Sequence, residues 1–219
     1  WKCTQNYIDM SRIEELQQEA IQLLQDLINT PSLSSEEDQT AAIIKHWLEK
    51  HGVSYQQQQN NVYAINKHED PSKPYLLLNS HHDTVLPNSG YTRDPYKAAI
   101  ENGKLYGLGS NDAGGALVCL LATFVYFYEQ EDMAYNLVVA ATAEEETSGD
   151  YGLNSLLKTL PSIDTAIVGE PTQMHLAVAE KGLVVFDATI SGTASHAAHP
   201  NPDNPIYKIG AVIDWFQQL

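Results

Sequence analysis

Four short motifs in this sequence could do chemistry, and most of them directly follow an apolar run. They are Ser80-His81-His82-Asp83-Thr84, Gly107 to Gly115 around Asp112, Thr142 to Gly149 around three glutamates, and Val168-Gly169-Glu170-Pro171. Together they offer imidazole and several carboxylates but no cysteine. That combination is typical of a site for zinc, or for a comparable divalent ion such as cobalt or manganese.

The first motif predicts a metal-binding histidine with a supporting carboxylate. His81 and Asp83 are two residues apart after the apolar run Tyr75 to Leu78, so in an extended chain their side chains share one face. A carboxylate there can accept the second imidazole proton and fix the tautomer that binds metal. His82 would face the other side. The alternative is a strand-end histidine that is hydrogen-bonded to the backbone.

The second motif places Asp112 in a glycine-rich turn before an apolar helix. A phosphate-binding loop is disfavoured because the GKST pattern is absent and an aspartate would repel phosphate. An ordinary helix N-cap remains open as the alternative role for Asp112.

The third and fourth motifs supply the remaining carboxylates. Glu144, Glu145 and Glu146 follow the apolar run Leu137 to Ala141 almost at once, and adjacent carboxylates repel one another unless a cation or proton relieves them. A solvated acidic turn is the alternative, but the direct continuation from a buried strand favours function. Glu170 again ends an apolar strand, and its alternative is an ordinary turn.

The elements that would position these motifs alternate between helix and strand. Helical spacing of apolar residues predicts a helix from Ile13 to Ile28, and Ser34 or Ser35 is expected to cap a second helix that ends at Gly52. A third helix is predicted over Ala116 to Tyr128. Strands are predicted for four short apolar runs: Val62 to Ile65, Tyr75 to Leu78, Leu137 to Ala141 and Thr165 to Val168.

This alternation predicts an α/β fold with a mixed, mostly parallel sheet and helices on both faces. Residues 10–182 are expected to form the metal-binding domain. Residues 183–219 are expected to begin an α+β domain, with a strand over Leu183 to Ile190 and a final helix over Ile206 to Phe216. Because one strand and one helix cannot bury their apolar faces alone, the chain is expected to be truncated. Residues 1–9 are expected to be an extension without a structural role.

Composition limits the classes of partner. The chain has 28 acidic and 12 basic residues and a net charge of -16, which disfavours nucleic acid and anionic membranes. No apolar run is expected to be long enough to span a membrane. Two cysteines, Cys3 and Cys119, cannot form a disulfide framework, and no secretory signal is evident, so the cytoplasm is the expected location.

These motifs resemble those of the two-zinc aminoacylase and carboxypeptidase family, in the family's order and spacing, from about Ile13 to Leu219. LLLNSHHDTV together with GKLYGLGSNDAGG is most similar to the acetylornithine deacetylase branch, whose activity belongs to arginine biosynthesis. The resemblance implies a zinc-exopeptidase-like fold, two divalent metal ions, a homodimer and a small-molecule N-acyl amino acid as substrate.

The resemblance also implies a role for each motif residue. His81 would bind the first metal with Asp83 behind it, Asp112 would bridge both metals, and Glu170 would complete the first. Glu145 would be the general base and Glu146 a ligand of the second metal. Strand alternation alone would allow Glu144 to pair with Glu146 instead.

A further histidine and two departures from the family pattern follow from the same resemblance. His196, in the loop Gly192 to Pro200, would lie in a lid domain and stabilise the oxyanion in the partner's active site, whereas His199 is expected to be a surface histidine. Ala113-Gly114-Gly115 stands where many relatives carry a Met-Lys-Gly-like run. The second metal's histidine would lie downstream of Leu219.

The predicted function is metal-dependent hydrolysis of an N-acyl amino acid, with N-acetylornithine or a close relative as the favoured substrate. A metallo-dipeptidase or carboxypeptidase is the alternative enzyme. The alternative of another class is a truncated, catalytically inactive protein that only binds metal.

Overall fold

A computed structural model describes residues 9–179, 181–182 and 184–219. These residues form two compact units, one up to His175 and one from Leu176 to Leu219. The predicted boundary between residues 182 and 183 remains a prediction.

The first unit contains seven strands and four helices within its described residues. The helices are α1 (Met10–Ile28), α2 (Asp38–Lys50), α3 (Gly115–Phe127) and α4 (Leu153–Leu156), and the strands are β1 (Gln56–Gln58), β2 (Asn61–Ile65), β3 (Tyr75–His81), β4 (Ala99–Glu101), β5 (Lys104–Tyr106), β6 (Asn136–Thr142) and β7 (Thr165–Val168).

Five strands form one mixed sheet in the order β1-β2-β6-β3-β7, while β4 and β5 form a separate hairpin. β3 pairs in parallel with β6 on one side and with β7 on the other, and β2 pairs with β6 in antiparallel fashion. The carboxyl ends of the three parallel strands therefore meet at one edge of the sheet, which is where ligands bind in open α/β sheets.

Helices cover both faces of this sheet. On one face, α1, α2 and α3 bury Leu23, Ile44 and Phe124 against the sheet residues Val62 and Val139. On the other face, Leu156 of α4 packs with Leu160 against a second set of sheet residues, which are Tyr63, Tyr75, Leu77, Val138 and Ala140. The predicted mixed α/β sheet with helices on both faces is confirmed.

The starts of α1 and α2 differ from the sequence predictions. The carboxylate of Asp9 accepts hydrogen bonds from the amides of Ser11 and Arg12 and so caps α1. The expectation that residues 1–9 have no structural role is therefore wrong for Asp9, and residues 1–8 lie outside the described residues. Neither Ser34 nor Ser35 caps α2, because both hydroxyls donate to carboxylates elsewhere in the unit.

The segment Ser110–Phe127 corrects the prediction about apolar runs, because its 18 residues have a mean hydropathy of 1.3, enough by length and composition to cross a membrane. The regular helix α3 covers only 13 of these residues, about 20 Å at 1.5 Å per residue. Leu117, Leu121 and Phe124 are also buried in the core described above. One side of α3 therefore packs in the core of the first unit.

The second unit contains a 3₁₀ turn (Pro205–Lys208) that leads into α5 (Ile209–Phe216). The final helix was therefore predicted correctly. The predicted strand over Leu183 to Ile190 is wrong for residues 184–190, which have no regular structure, and Leu183 lies outside the described residues. A strand needs a neighbour for its backbone hydrogen bonds, and the described part of this unit contains no second strand.

Candidate metal centre

His81 is the last residue of β3, and its side chain is buried, with 1% of it exposed. Its Nδ1 lies 3.0 Å from the backbone oxygen of Asp83 and 3.3 Å from Asp83 Oδ1. The two side chains therefore meet, as their spacing predicted. Donation from Nδ1–H to Asp83 leaves Nε2 as the ring atom that can bind a metal.

His82 points away from this site, also as predicted. It is buried, with Nδ1 2.9 Å from Thr40 Oγ1 and Nε2 3.0 Å from the backbone oxygen of Asn60. Burial lowers the pKa of His82. The ring is therefore a neutral, satisfied core group and is not available as a ligand.

The glycine-rich turn brings Asp112 to His81. Gly109 has a left-handed φ of 74°, and a Cβ there would lie 2.8 Å from Thr84 Cγ2, so glycine suits this tight approach. Asp112 has non-helical φ and ψ and lies before the regular turns of α3. Its side chain, which is 58% exposed, lies with Oδ1 3.2 Å from His81 Nε2. Asp112 therefore faces the imidazole.

The three glutamates follow β6 in a turn and have different surroundings. Glu144 has a φ of 56°, which ends the strand alternation, and its buried carboxylate accepts from the Ser35 hydroxyl and the Tyr151 amide. Glu145 is exposed, with Oε2 3.8 Å from His81 Nε2. Glu146 is half-buried on the same turn. The structure thus places Glu145, and not Glu144, beside His81.

Glu170 reaches the same place from β7. It follows that strand by two residues, and its Oε2 lies 4.0 Å from His81 Nε2. His81, Asp112 and Glu170 each offer one ligand atom, and these atoms lie within 4.8 Å of one another. One imidazole nitrogen and two carboxylate oxygens at such distances fit a divalent cation of the zinc type.

The titration of His81 is consistent with this fit. Burial opposes the imidazolium, but the hydrogen bond to Asp83 and the charges of Asp83, Glu170 and Glu145 outweigh burial and raise the pKa of His81 to about 9. The negative charges of these carboxylates thus stabilise a positive charge at the His81 ring. A bound proton supplies that charge at neutral pH, and a divalent cation would supply a larger one.

The pKa values of two carboxylates reflect the same concentration of negative charge. Burial and the charge of Asp112 raise the pKa of Glu146, while burial and the charges of Glu145 and Asp112 raise the pKa of Glu170 against the pull of His81. Asp83 behaves in the opposite way. Burial opposes its ionisation, but hydrogen bonds from His81, Ser34 and the amides of the glutamate turn outweigh burial and lower its pKa. Asp83 is therefore the fixed anion behind His81.

Asp83 also orients the glutamate turn. Its Oδ1 accepts from the amide of Glu145 and its Oδ2 from the amide of Glu146, both at 3.1 Å. The hydroxyl of Ser34 donates to Oδ2 at 2.7 Å. One buried carboxylate therefore contacts both the imidazole and the turn that carries the other acids.

A groove of about 290 Å³ borders this cluster, with Thr84, Tyr91, Ser110, Asp112 and Glu146 among its lining residues. Its size suits part of a small molecule. Larger grooves flank α1, but the metal-ligand cluster of the described residues does not line them.

His196 and His199 belong to the second unit. Both are exposed, their rings are 5.7 Å apart, and His196 Nδ1 accepts from the amide of Ala198 at 3.2 Å. The predicted surface position of His199 agrees with its exposure within this unit. The catalytic role of His196 remains a prediction.

Sequence reasoning missed several residues that support the site. Ser34 and Ser35 were assigned to a helix cap, and Glu37 and Asn60 were given no role. Glu37 is fully buried and accepts from the Asn60 side chain at 2.7 Å. A glutamate at the start of an amphipathic helix is usually solvated, so the sequence carried no signal for its burial.

Comparison with known proteins identifies the family. Residues 77–213, more than half of the chain, match the sequence model of peptidase family M20/M25/M40. The chain belongs to this family. The match includes all four motifs and the loop that carries His196.

Curated M20 relatives include enzymes described as succinyl-diaminopimelate desuccinylase. The Rickettsia bellii enzyme is 28% identical over an alignment of 201 positions that covers 83% of this chain and 51% of that protein. The Rickettsia akari enzyme is 29% identical over an alignment of 206 positions that covers 84% of this chain and 53% of that protein. The chain thus spans about half the length of the curated relatives it matches.

Solved structures support the same fold. A metallo-carboxypeptidase of the M20 family from Sulfolobus solfataricus is 27% identical, with a TM-score of 0.56 over 71% of this chain and 37% of that one. A Bacillus subtilis protein described as a dinuclear metal-binding M20 peptidase has a TM-score of 0.54 at 17% identity, over 71% of this chain and 43% of that one. The α/β fold of this chain is therefore that of the M20 family.

Proposed function

We propose that this M20 chain provides the metal-binding part of a hydrolase that cleaves the amide bond of an N-acyl amino acid. The observation that carries the proposal is the cluster of His81, Asp112 and Glu170, whose ligand atoms lie within 4.8 Å, with Glu145 beside it. This combines a donor set for a cation with an exposed carboxylate that can transfer protons.

In the proposed mechanism, His81, Asp112 and Glu170 would hold a first cation, and Asp112 and Glu146 with a further ligand would hold a second. When bound, these ions supply Lewis acidity towards the acyl oxygen and lower the pKa of water. Zinc is the favoured metal, with cobalt or manganese as alternatives.

The remaining steps belong to the protein's own side chains. Glu145 takes a proton from the attacking water and returns it to the departing amine, which its exposed position beside His81 allows. Asp83 holds the His81 ring and does not itself transfer a proton. His196 of the partner subunit in a homodimer donates a hydrogen bond to the oxyanion.

The acyl group is the finer part of the proposal. The sequence motifs favour N-acetylornithine, whereas the named curated relatives support an N-succinyl substrate such as N-succinyl-diaminopimelate. Both substrates carry an amide next to a free carboxylate. A dipeptidase or carboxypeptidase is the second candidate, supported by the 27% identical metallo-carboxypeptidase.

The test measures amine release from N-acetylornithine, N-succinyl-diaminopimelate and a dipeptide by the protein loaded with zinc, cobalt or manganese. Hydrolysis of an acyl amino acid above that of the dipeptide supports the proposal, and the faster of the first two identifies the acyl group. A Glu145→Gln variant controls for contaminating hydrolases. Metal binding without turnover of any substrate would instead support the metal-binding protein without activity.

A further inference from the structure

Glu37 is a carboxylate with no exposed surface at the start of α2, 0% accessible. Its Oε1 accepts from the amide of Ser35 at 2.7 Å and from the amide of Glu144 at 3.1 Å, and its Oε2 accepts from the Asn60 side chain. All three partners are neutral N–H groups. A carboxyl group without any exposure needs hydrogen-bond partners for its oxygens, and these three N–H groups supply them.

An ordinary structural role does not account for this burial. The Glu37 side chain makes no capping hydrogen bond to α2. Within the described part of the chain, no lysine or arginine forms an ion pair with it. Among its hydrogen bonds within the described residues, the one to a distant backbone group comes from the amide of Glu144, 107 residues away in sequence. The carboxylate is therefore directed at the glutamate turn.

The Glu144 side chain strengthens the same connection. Its Oε1 accepts from the Ser35 hydroxyl at 3.0 Å, and its Oε2 accepts from the Tyr151 amide at 3.0 Å. A Cβ at Gly149 would overlap this carboxylate, so the turn closes around it. Two residues that precede α2 thus hold both the backbone and the side chain of Glu144.

Three successive amides of the turn are therefore fixed by two buried carboxylates. Glu37 accepts from the amide of Glu144, and Asp83 accepts from the amides of Glu145 and Glu146. Asp83 also contacts His81, whereas Glu37 contacts no proposed metal ligand or catalytic side chain directly. Each of these three hydrogen bonds restricts the position of one backbone amide of the turn.

We propose that Glu37 is a positioning residue that sets the orientation of Glu145 and Glu146 through the backbone of Glu144. Asp83 supports the turn from the side of His81, and Glu37 supports it from the side of α2. The roles given to Glu145 and Glu146 rest on the proposed function, but the support of the turn by Glu37 does not.

The experiment compares Glu37→Ala, Glu37→Gln and the control Glu36→Ala, which changes an exposed neighbouring acid. Amide hydrogen exchange by NMR reports the turn directly, with Val139 inside β6 as the internal reference. Cobalt(II) titration reports ion binding, and steady-state kinetics on the best substrate separates kcat from KM. Thermal unfolding establishes that each variant is folded.

In Glu37→Ala, the Glu144 amide should exchange faster while Val139 stays protected. Weaker positioning should lower kcat by about 100-fold with KM nearly unchanged, since small displacements of catalytic groups are that costly. The affinity for the cobalt ion bound through Glu146 should fall about 10-fold or more. The affinity for the ion bound through His81, Asp112 and Glu170 should stay unchanged. Glu37→Gln should recover much of the loss, because its amide oxygen can still accept both backbone amides and Asn60 can rotate to pair with its NH₂.

A folded Glu37→Ala protein with wild-type kcat, cobalt binding and Glu144 exchange would overturn the proposal. If Glu37→Ala does not fold, Glu37→Leu provides the test, because its side chain fills the buried space but cannot accept from the Glu144 amide. Unchanged kcat and exchange there would also overturn the proposal. If wild type hydrolyses no substrate, the proposed function fails, and exchange and cobalt binding alone decide the role of Glu37.

Discussion

His81 Nε2 and Asp112 Oδ1 lie 3.2 Å apart although 31 residues separate them in sequence. His81 is the last residue of the buried strand β3, and Asp112 lies in the glycine-rich turn before α3. This pair defines the centre of the site, and Glu145 and Glu170 face it from two further strand ends.

The first prediction concerns metal binding by the 219-residue chain. One zinc or cobalt ion should bind tightly through His81, Asp112 and Glu170, and a second should bind weakly because Asp112 and Glu146 alone supply few ligands. Elemental analysis after dialysis measures the ratio. Glu170→Gln should lose the tight ion, whereas Glu131→Gln, a change of an exposed acid elsewhere, should keep it. Two tightly held ions would contradict this ligand assignment.

The second prediction separates the adjacent glutamates. Glu145→Gln keeps the shape of the side chain but removes the proton acceptor, so turnover should fall by about 10²–10⁴-fold with metal retained. Glu146→Gln should instead weaken the second ion. Steady-state kinetics and metal analysis distinguish the two. Loss of metal in Glu145→Gln, with loss of turnover alone in Glu144→Gln, would show that the roles are displaced by one residue.

The third prediction is that His196 acts on the partner's active site in a dimer. His196→Ala and Glu145→Gln subunits should each be nearly inactive, but a mixed dimer has one site with both groups intact. Random pairing makes about half of the dimers mixed, so equal mixing should restore up to about a quarter of wild-type activity. The assay follows activity after co-refolding. Recovery of no activity, with subunit exchange confirmed by differently tagged chains, would exclude action in trans.

The fourth prediction concerns stability at acid pH. Burial lowers the pKa of His51 against the attraction of Glu19, with smaller effects from Arg12, Lys50 and Glu15. The unfolded chain therefore takes up a proton near pH 6.5 that the folded chain does not yet bind. Stability from this group is complete above that pH and falls as pH decreases through it.

The measurement is the unfolding midpoint of wild type and His51→Gln at pH 8 and pH 5.5. The variant should lose less stability between these values than wild type does. The control is His46→Gln, which changes an exposed histidine on α2, the helix that ends just before His51. Equal pH dependence in wild type and His51→Gln would show that this imidazole is not responsible.

Much of the fold was predictable because the apolar patterns in the sequence are strong. The helix over Ile13 to Ile28, the apolar helix α3 and all four apolar strands lie where their patterns predicted them. Polar motifs at strand ends also predicted that His81, Glu170 and the glutamates after Ala141 would lie close together, since parallel strands bring their carboxyl ends together. The choice of Glu145 among these glutamates came only from the family resemblance.

The remaining features depend on contacts between distant residues. Ser34 and Ser35 are residue types that often cap helices, yet their hydroxyls donate hydrogen bonds to carboxylates 49 and 109 residues away. The segment 184–190 has a strand-like composition, but strand formation requires a partner that composition does not supply. No local pattern distinguishes such cases, because tertiary contacts decide them.

The position of β7 couples the metal centre to the local dynamics of the sheet. β7 joins the sheet through β3 alone, and all four of its residues are exposed. Strands with few buried contacts open most readily, without unfolding the rest of the domain. Each such opening would move Glu170 away from His81. A cation bound to both residues would therefore stabilise the pairing of this edge strand with β3.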